Sequence, residues 1–119
     1  MKTFQNLIVW QKAHRLVIRT YEIATHFPRR EMFGLTAQTQ RCAVSIAANI
    51  AEGSKRRSEK DFCHFLNISQ SSLEELKYYL ILARDLNYLS IENYQKMFDL
   101  SEEVGRLLSG FYQRVKINN

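Results

Sequence analysis

Apolar residues recur three or four positions apart through most of this chain, the period of an amphipathic helix. The stripe is plainest over 59–86, where Phe62, Phe65, Leu66, Ser69, Leu73, Leu76, Leu80 and Ala83 fall in line. A second stripe, Tyr94, Met97, Val104, Leu107, Leu108, Phe111 and Val115, predicts a helix over 91–116. Two earlier helices are predicted over 7–26 and 35–52. Pro28 blocks continuation of the first. Gly53 stands where a left-handed C-cap would end the second. Ser58 is a natural N-cap, with Asp61 three residues on as the weaker Asp form of a capping box. Asn87 can take the C-cap conformation that glycine usually takes, and Ser90 caps the fourth helix. The connections are short, so sequence neighbours should run antiparallel. The expected fold is all-α, a single antiparallel up-down four-helix bundle occupying residues 1–119, with no linker, low-complexity segment or internal repeat. Trp10, Val17, Ile46, Ile50, Phe62, Leu66, Leu73, Leu80, Val104 and Leu108 should lie in or next to its core. The third helix would be about 42 Å long at ~1.5 Å per residue. The second is about ten residues shorter, so one end of the bundle should be uneven.

The first two helices carry more than one core needs. On the first, Trp10, Ala13, His14, Val17, Tyr21 and Ala24 share an arc, and Val9, Leu16 and Ile23 widen it well past the stripe of a simple bundle. Lys12, Arg15 and Arg19 collect on the remaining side. On the second, Leu35, Cys42, Ala43, Ile46, Ala47 and Ile50 make a core face, while Val44, Ala48 and Ala51 leave the rest nearly apolar. Its polar residues Gln38, Arg41, Ser45, Asn49 and Glu52 are spaced 3, 4, 4 and 3 apart and form one narrow strip. Excess apolar surface implies a partner, and a homo-oligomer is the expected one. The strip is expected at or near subunit contacts or in a bonded layer within the bundle. The alternative is a solvent-facing stripe.

Composition changes the picture little and charge changes it more. Hydrophobic residues make up 45% and charged residues 24%, ordinary for a globular domain. One Pro and four Gly favour long helices over a sandwich or barrel. No leader-like segment opens the chain, and the longest apolar run, Tyr78 to Ala83, falls far short of the ~20 residues of a bilayer span. Cys42 and Cys63 lack paired-motif spacing and sit in helical apolar patterns, as reduced core residues of a cytoplasmic protein would. The net charge of +5 is uneven. Residues 1–58 hold ten Lys/Arg against three Asp/Glu, whereas residues 59–119 hold seven against nine. A basic half suits a polyanion such as RNA or DNA; complementary packing between halves or subunits would use the same asymmetry.

Candidate chemistry is sparse. A carboxylate-bridged di-metal bundle needs Glu-x-x-His on two helices and a Glu on two more; the chain offers only Asp61-x-x-His64, and Asp61 suits a helix N-terminus. Glu22 and His26 are an i, i+4 pair near a helix end. No catalytic spacing surrounds Cys42, no phosphate-cradling glycine loop is present, and His14 reads as a bonded core or interface histidine. The expectation is therefore no metal, no cofactor and no enzymatic activity. The run Lys55-Arg56-Arg57 follows a helix C-terminus, where the dipole favours cations, but one cation would suffice for that. With Lys12, Arg15 and Arg19 it forms the candidate nucleic-acid-binding set, directed at the backbone rather than at bases. A membrane-surface role fits the same charge but lacks an exposed apolar face beside these cations. The competing class is a scaffold whose charges serve solubility and assembly.

The segments LIVWQKAHRL, FPRREMFGL, QTQRCAVSIAANIAEGSKRRS, FCHFLNISQSSLEEL and LNYLS, in this order from Leu7 to about Phe111, resemble the four-helix bundle family encoded in bacterial 23S rRNA intervening sequences. That family is similar to the accessory variability protein of diversity-generating retroelements. The run from Ser45 to Gly53 into a basic loop is the most specific piece. Ser69 and Ser71 stand where Ala and Gly are more usual, Lys77 where Glu is common and Asn87 where Gly is usual. The resemblance implies an up-down bundle in a homopentameric ring, without established enzymatic activity. For retroelement relatives it implies partnership with nucleic acid and a reverse transcriptase.

Overall fold

The structure, a computed structural model, describes residues 3–117. Its four long helices are α1 (Ile8–Ala24), α2 (Leu35–Ser54), α3 (Glu59–Asp85) and α4 (Ile91–Ile117). Single 3-10 turns at Phe4–Asn6 and Arg29–Glu31 precede α1 and α2, and no strand occurs among the described residues. Each helix packs on its sequence neighbours and α4 closes back on α1, leaving the diagonal pairs apart. Cross-helix bonds fix the directions. Ser69 of α3 donates to the Ile46 carbonyl of α2 at 2.8 Å, and Ser72 meets Ser45 at 2.8 Å, so the register falls on one as it rises on the other. The result is an antiparallel up-down four-helix bundle, 45 × 24 × 23 Å.

The helix ends follow local chemistry. Ser58 Oγ accepts from the Asp61 amide at 3.0 Å, and Ser90 Oγ from the Asn93 amide at 3.1 Å, satisfying donors that a first turn leaves open. Asn87 has φ 64°, the left-handed conformation, and the Tyr88 and Asn87 amides return to the Ala83 and Arg84 carbonyls. This is a Schellman ending with asparagine in the place of glycine.

Gly53 departs from the expectation. α2 continues through it to Ser54, and its φ is not positive. A Cβ at this position would stand 2.8 Å from both Phe62 Cδ1 and Phe65 Cβ. The glycine therefore lets the start of α3 approach the end of α2 rather than turning the chain.

Leu16, Ile46, Ile50, Leu66, Leu76, Leu80, Val104 and Leu108 are fully buried, and Leu73 nearly so. Trp10, Val17 and Phe62 pack against this core from its margin. Buried hydroxyls bond to carbonyls one turn back, Thr20 to Leu16 and Thr39 to Leu35 in α1 and α2 and Ser101 to Met97 in α4. Among the described residues every buried side-chain nitrogen and oxygen has a partner. On α1 the core stripe is Val9, Ala13, Leu16, Thr20, Ile23 and Ala24. Trp10, His14, Val17 and Tyr21 fall on its flank, and His14 is exposed, stacked on Trp10 at 4.9 Å, not a core histidine.

The connection between α1 and α2 fills the end that the shorter helices leave open. Phe27 is buried against Tyr88 of the α3–α4 turn, with ring centroids 5.9 Å apart. Glu31 accepts from the Leu35 amide at 3.1 Å through Oε1 and from the Tyr88 hydroxyl at 2.9 Å through Oε2. Those two bonds, in that order, and the nearby Arg30 hold its carboxyl below the ordinary carboxylate range. A depressed folded-state value means the stabilisation is complete above the unfolded value and fades as pH falls through the folded one. In urea titrations between about pH 3 and about pH 7, Glu31→Gln should lie below the native protein at neutral pH, with the gap narrowing towards the acid end. A gap constant with pH would contradict this role.

Candidate nucleic-acid interface

Lys12, Arg15 and Arg19 lie on successive turns of α1, and α4 supplies the opposite wall. The three line one groove of about 280 Å³ with Lys96, Met97, Leu100 and Glu103. Lys12 Nζ pairs with Glu103 at 3.1 Å and Arg19 sits 3.8 Å from Glu22. Arg15 and Lys96 have no carboxylate within ion-pair distance among the described residues. Lys96 was not in the candidate set. It is an isolated cation in the acidic half of the sequence, and only the closure of α4 on α1 brings it to the others. The adjacent residue to Glu103, Glu102, holds Lys77 of α3 at 3.1 Å, so α4 is tied on both sides. Burial works against the Lys77 charge, but its bonds to Glu74 and Glu102 outweigh this and raise its pKa.

Lys55, Arg56 and Arg57 stand in the turn after α2, exposed. Arg56 is already engaged: it pairs with Glu52 one turn back, and its guanidinium lies 4.6 Å over the Phe65 ring. Lys55 faces the first residues, lining a hollow with Thr3, Phe4 and Leu7. The groove of the α1 cations and the hollow beside Lys55 share no lining residue.

The polar strip of α2 divides in two. Ser45 and Asn49 are half-buried and bonded: Asn49 Nδ2 donates to the Ser45 carbonyl at 2.8 Å and to its Oγ at 3.0 Å, and Ser45 meets Ser72 of α3. Cys42 Sγ donates to the Ser72 carbonyl at 3.1 Å, and burial, then the nearby Glu75, push its thiol up to about 12. That thiol stays protonated and is a poor nucleophile. Glu52 pairs with Arg56, while Gln38 and Arg41 are exposed. The strip thus seals part of the α2–α3 seam instead of standing wholly in solvent.

On its other side α2 is open. Val44, Ala47, Ala48 and Ala51 form an apolar groove of about 270 Å³ with Phe4, Trp10, His14 and Val17. No helix among the described residues is long and apolar enough to cross a membrane, and no group of three or more His, Cys, Asp or Glu among them is placed to hold a metal ion.

These features define a small up-down bundle with a cationic groove on its α1–α4 side and an open apolar groove on its α1–α2 side. The chain belongs to the 23S rRNA-intervening sequence protein family, whose sequence model matches residues 5–110. It is similar to a protein of unknown function from the S23 ribosomal protein family of Bacteroides thetaiotaomicron, known from a crystal structure. The two are 27% identical, the match covers 89% of this chain and 96% of that one, and the TM-score is 0.83. No curated protein matches the chain.

Proposed function

We propose that this protein is a non-catalytic oligomeric module that binds the backbone of RNA or DNA through its basic surface, or serves as an adaptor on it. The observation that carries the reading is the gathering of three α1 cations with Lys96 in one groove. Phosphate contacts of this kind position a strand without reading its sequence. The apolar α1–α2 groove supplies the second half of the proposal. Its alanines let another helix approach closely, and the occupant proposed is a second copy, in a ring of five as the resemblance implies. Assembly would multiply the cationic grooves and with them the affinity. In a retroelement setting the further partner would be a reverse transcriptase.

A scaffold without nucleic-acid binding is the competing reading, favoured by the engagement of Arg56 with Glu52 and Phe65 and of Lys12 with Glu103. Titration of structured RNA and of DNA at low salt separates the two. Joint Arg15→Gln and Arg19→Gln replacement should weaken binding at least about tenfold. Replacement of Lys55, Arg56 and Arg57 by Ser should weaken it less, because these three do not line the α1–α4 groove. In both cases the oligomer should stay intact by light scattering. Absence of binding by the native protein would favour the scaffold, and a particle of 14.1 kDa at micromolar concentration would refute the assembly.

A further inference from the structure

We infer that the groove between α1 and α4 is a track for one nucleic-acid strand and not a seat for a duplex, with Lys96 as a further phosphate contact. The inference rests on the nucleic-acid reading above and adds the form of the ligand. The groove does not end at Arg19. Arg19, Lys96 and Met97 also line a second hollow with Glu22, His26 and Asn93, so the two hollows run into each other along the same pair of helices. From Lys12 to Ile23 the path follows α1 for about 17 Å at ~1.5 Å per residue, and His26 lines it just past the helix end. Such a length suits a polymer, whereas a free phosphate would need only one point of it.

The width selects the strand. Packed helix axes lie about 8–10 Å apart, so the trough between them is much narrower than a double helix. A duplex would touch only its rims, and the cations on the walls would reach few phosphates. A single strand can lie inside and set its phosphates against Arg15, Arg19 and Lys96 in turn. The floor is Met97, buried, and Leu100, partly buried, and the one ring that lines either hollow is the His26 imidazole at the far end of the second. Bases therefore find no row of stacking platforms, and recognition goes mainly through phosphate. The carboxylates in the track, Glu103 and Glu22, are paired with Lys12 and Arg19, which leaves Arg15 and Lys96 as the cations with no competing partner.

The test is fluorescence anisotropy with a labelled single-stranded oligonucleotide of mixed sequence and with a duplex of the same length. The single strand should bind about tenfold or more tightly than the duplex. Lys96→Gln should weaken single-strand binding several-fold and flatten the log–log salt slope by about 0.7, the share of one single-strand phosphate contact. Arg15→Gln should do the same, and Lys60→Gln, an exposed change on α3, should do neither. Circular dichroism of each variant checks the fold. Polyglutamate should compete poorly. Equal or tighter duplex binding, or a Lys96→Gln slope unchanged from native, would overturn the track while leaving nucleic-acid binding in place. Equal competition by polyglutamate would reassign the groove to acidic polypeptides. No binding of either form would overturn the functional reading and this inference together.

Discussion

Leu73→Ala should lower the unfolding free energy by about 2–5 kcal/mol, in the upper part of that range. Leu73 is 2% exposed in the middle of α3. The cost of such a truncation depends on how far the surroundings collapse into the space left behind. Opposite it stands Gly105 of α4, where an added Cβ would be 3.3 Å from Leu73 Cδ2. The leucine methyl thus rests against a residue that has no side chain of its own to swing into the void. A domain of this size has about 5–15 kcal/mol in total, so the loss is a large fraction of it. Urea denaturation at fixed protein concentration measures it, and a change below about 1 kcal/mol would contradict this packing.

Gly53→Ala separates two roles for one glycine by its sign. In an exposed helix interior the replacement should stabilise by about 0.8–1 kcal/mol, because alanine loses less backbone freedom. Here the new methyl would meet Phe62 Cδ1 and Phe65 Cβ at 2.8 Å. The Phe62 ring can shift, but Phe65 Cβ is anchored to the α3 backbone. The expected result is destabilisation by about 1–3 kcal/mol, the usual cost of overpacking. Thermal unfolding of the variant above the native midpoint would show that α3 does not approach α2 as described.

The same residue shows where sequence reasoning reached its limit. A glycine at a helix end has two uses, conformational freedom and lack of bulk, and the one-dimensional pattern favours the first. Only the approach of α3 reveals the second. Signals that act locally were legible: Ser58, Ser90 and Asn87 bond within three to five residues of themselves, and the long stripes of α3 and α4 set the bundle. On α1 the apolar arc was too broad for the wheel to show which part faced inward. The structure puts Leu16 and Ile23 in the core and leaves Trp10, His14 and Tyr21 on the flank. Ser69 was visible only as an oddity in an apolar stripe, because its acceptor, the Ile46 carbonyl, lies 23 residues away. In the candidate site, the periodicity of Lys12, Arg15 and Arg19 was legible because one helix carries all three. Lys96 was not, since its place depends on how the chain closes. Adjacency of Lys55, Arg56 and Arg57 suggested one cluster, but Arg56 is drawn towards Glu52 and Phe65 and stands apart from the α1 cations.

The most direct test of the account is the salt dependence of single-strand binding by the native protein. Affinity falls with salt in proportion to the phosphates neutralised, with a log–log slope near −0.7 per contact on a single strand. Three or four groove cations acting on one strand predict a slope of about −2 to −3 for each occupied groove. Joint replacement of Arg15 and Arg19 by Gln should move it towards zero by about 1.4. A slope that stays near zero in the native protein, or one that the double replacement leaves unchanged, would contradict the assignment of the α1–α4 groove to nucleic acid.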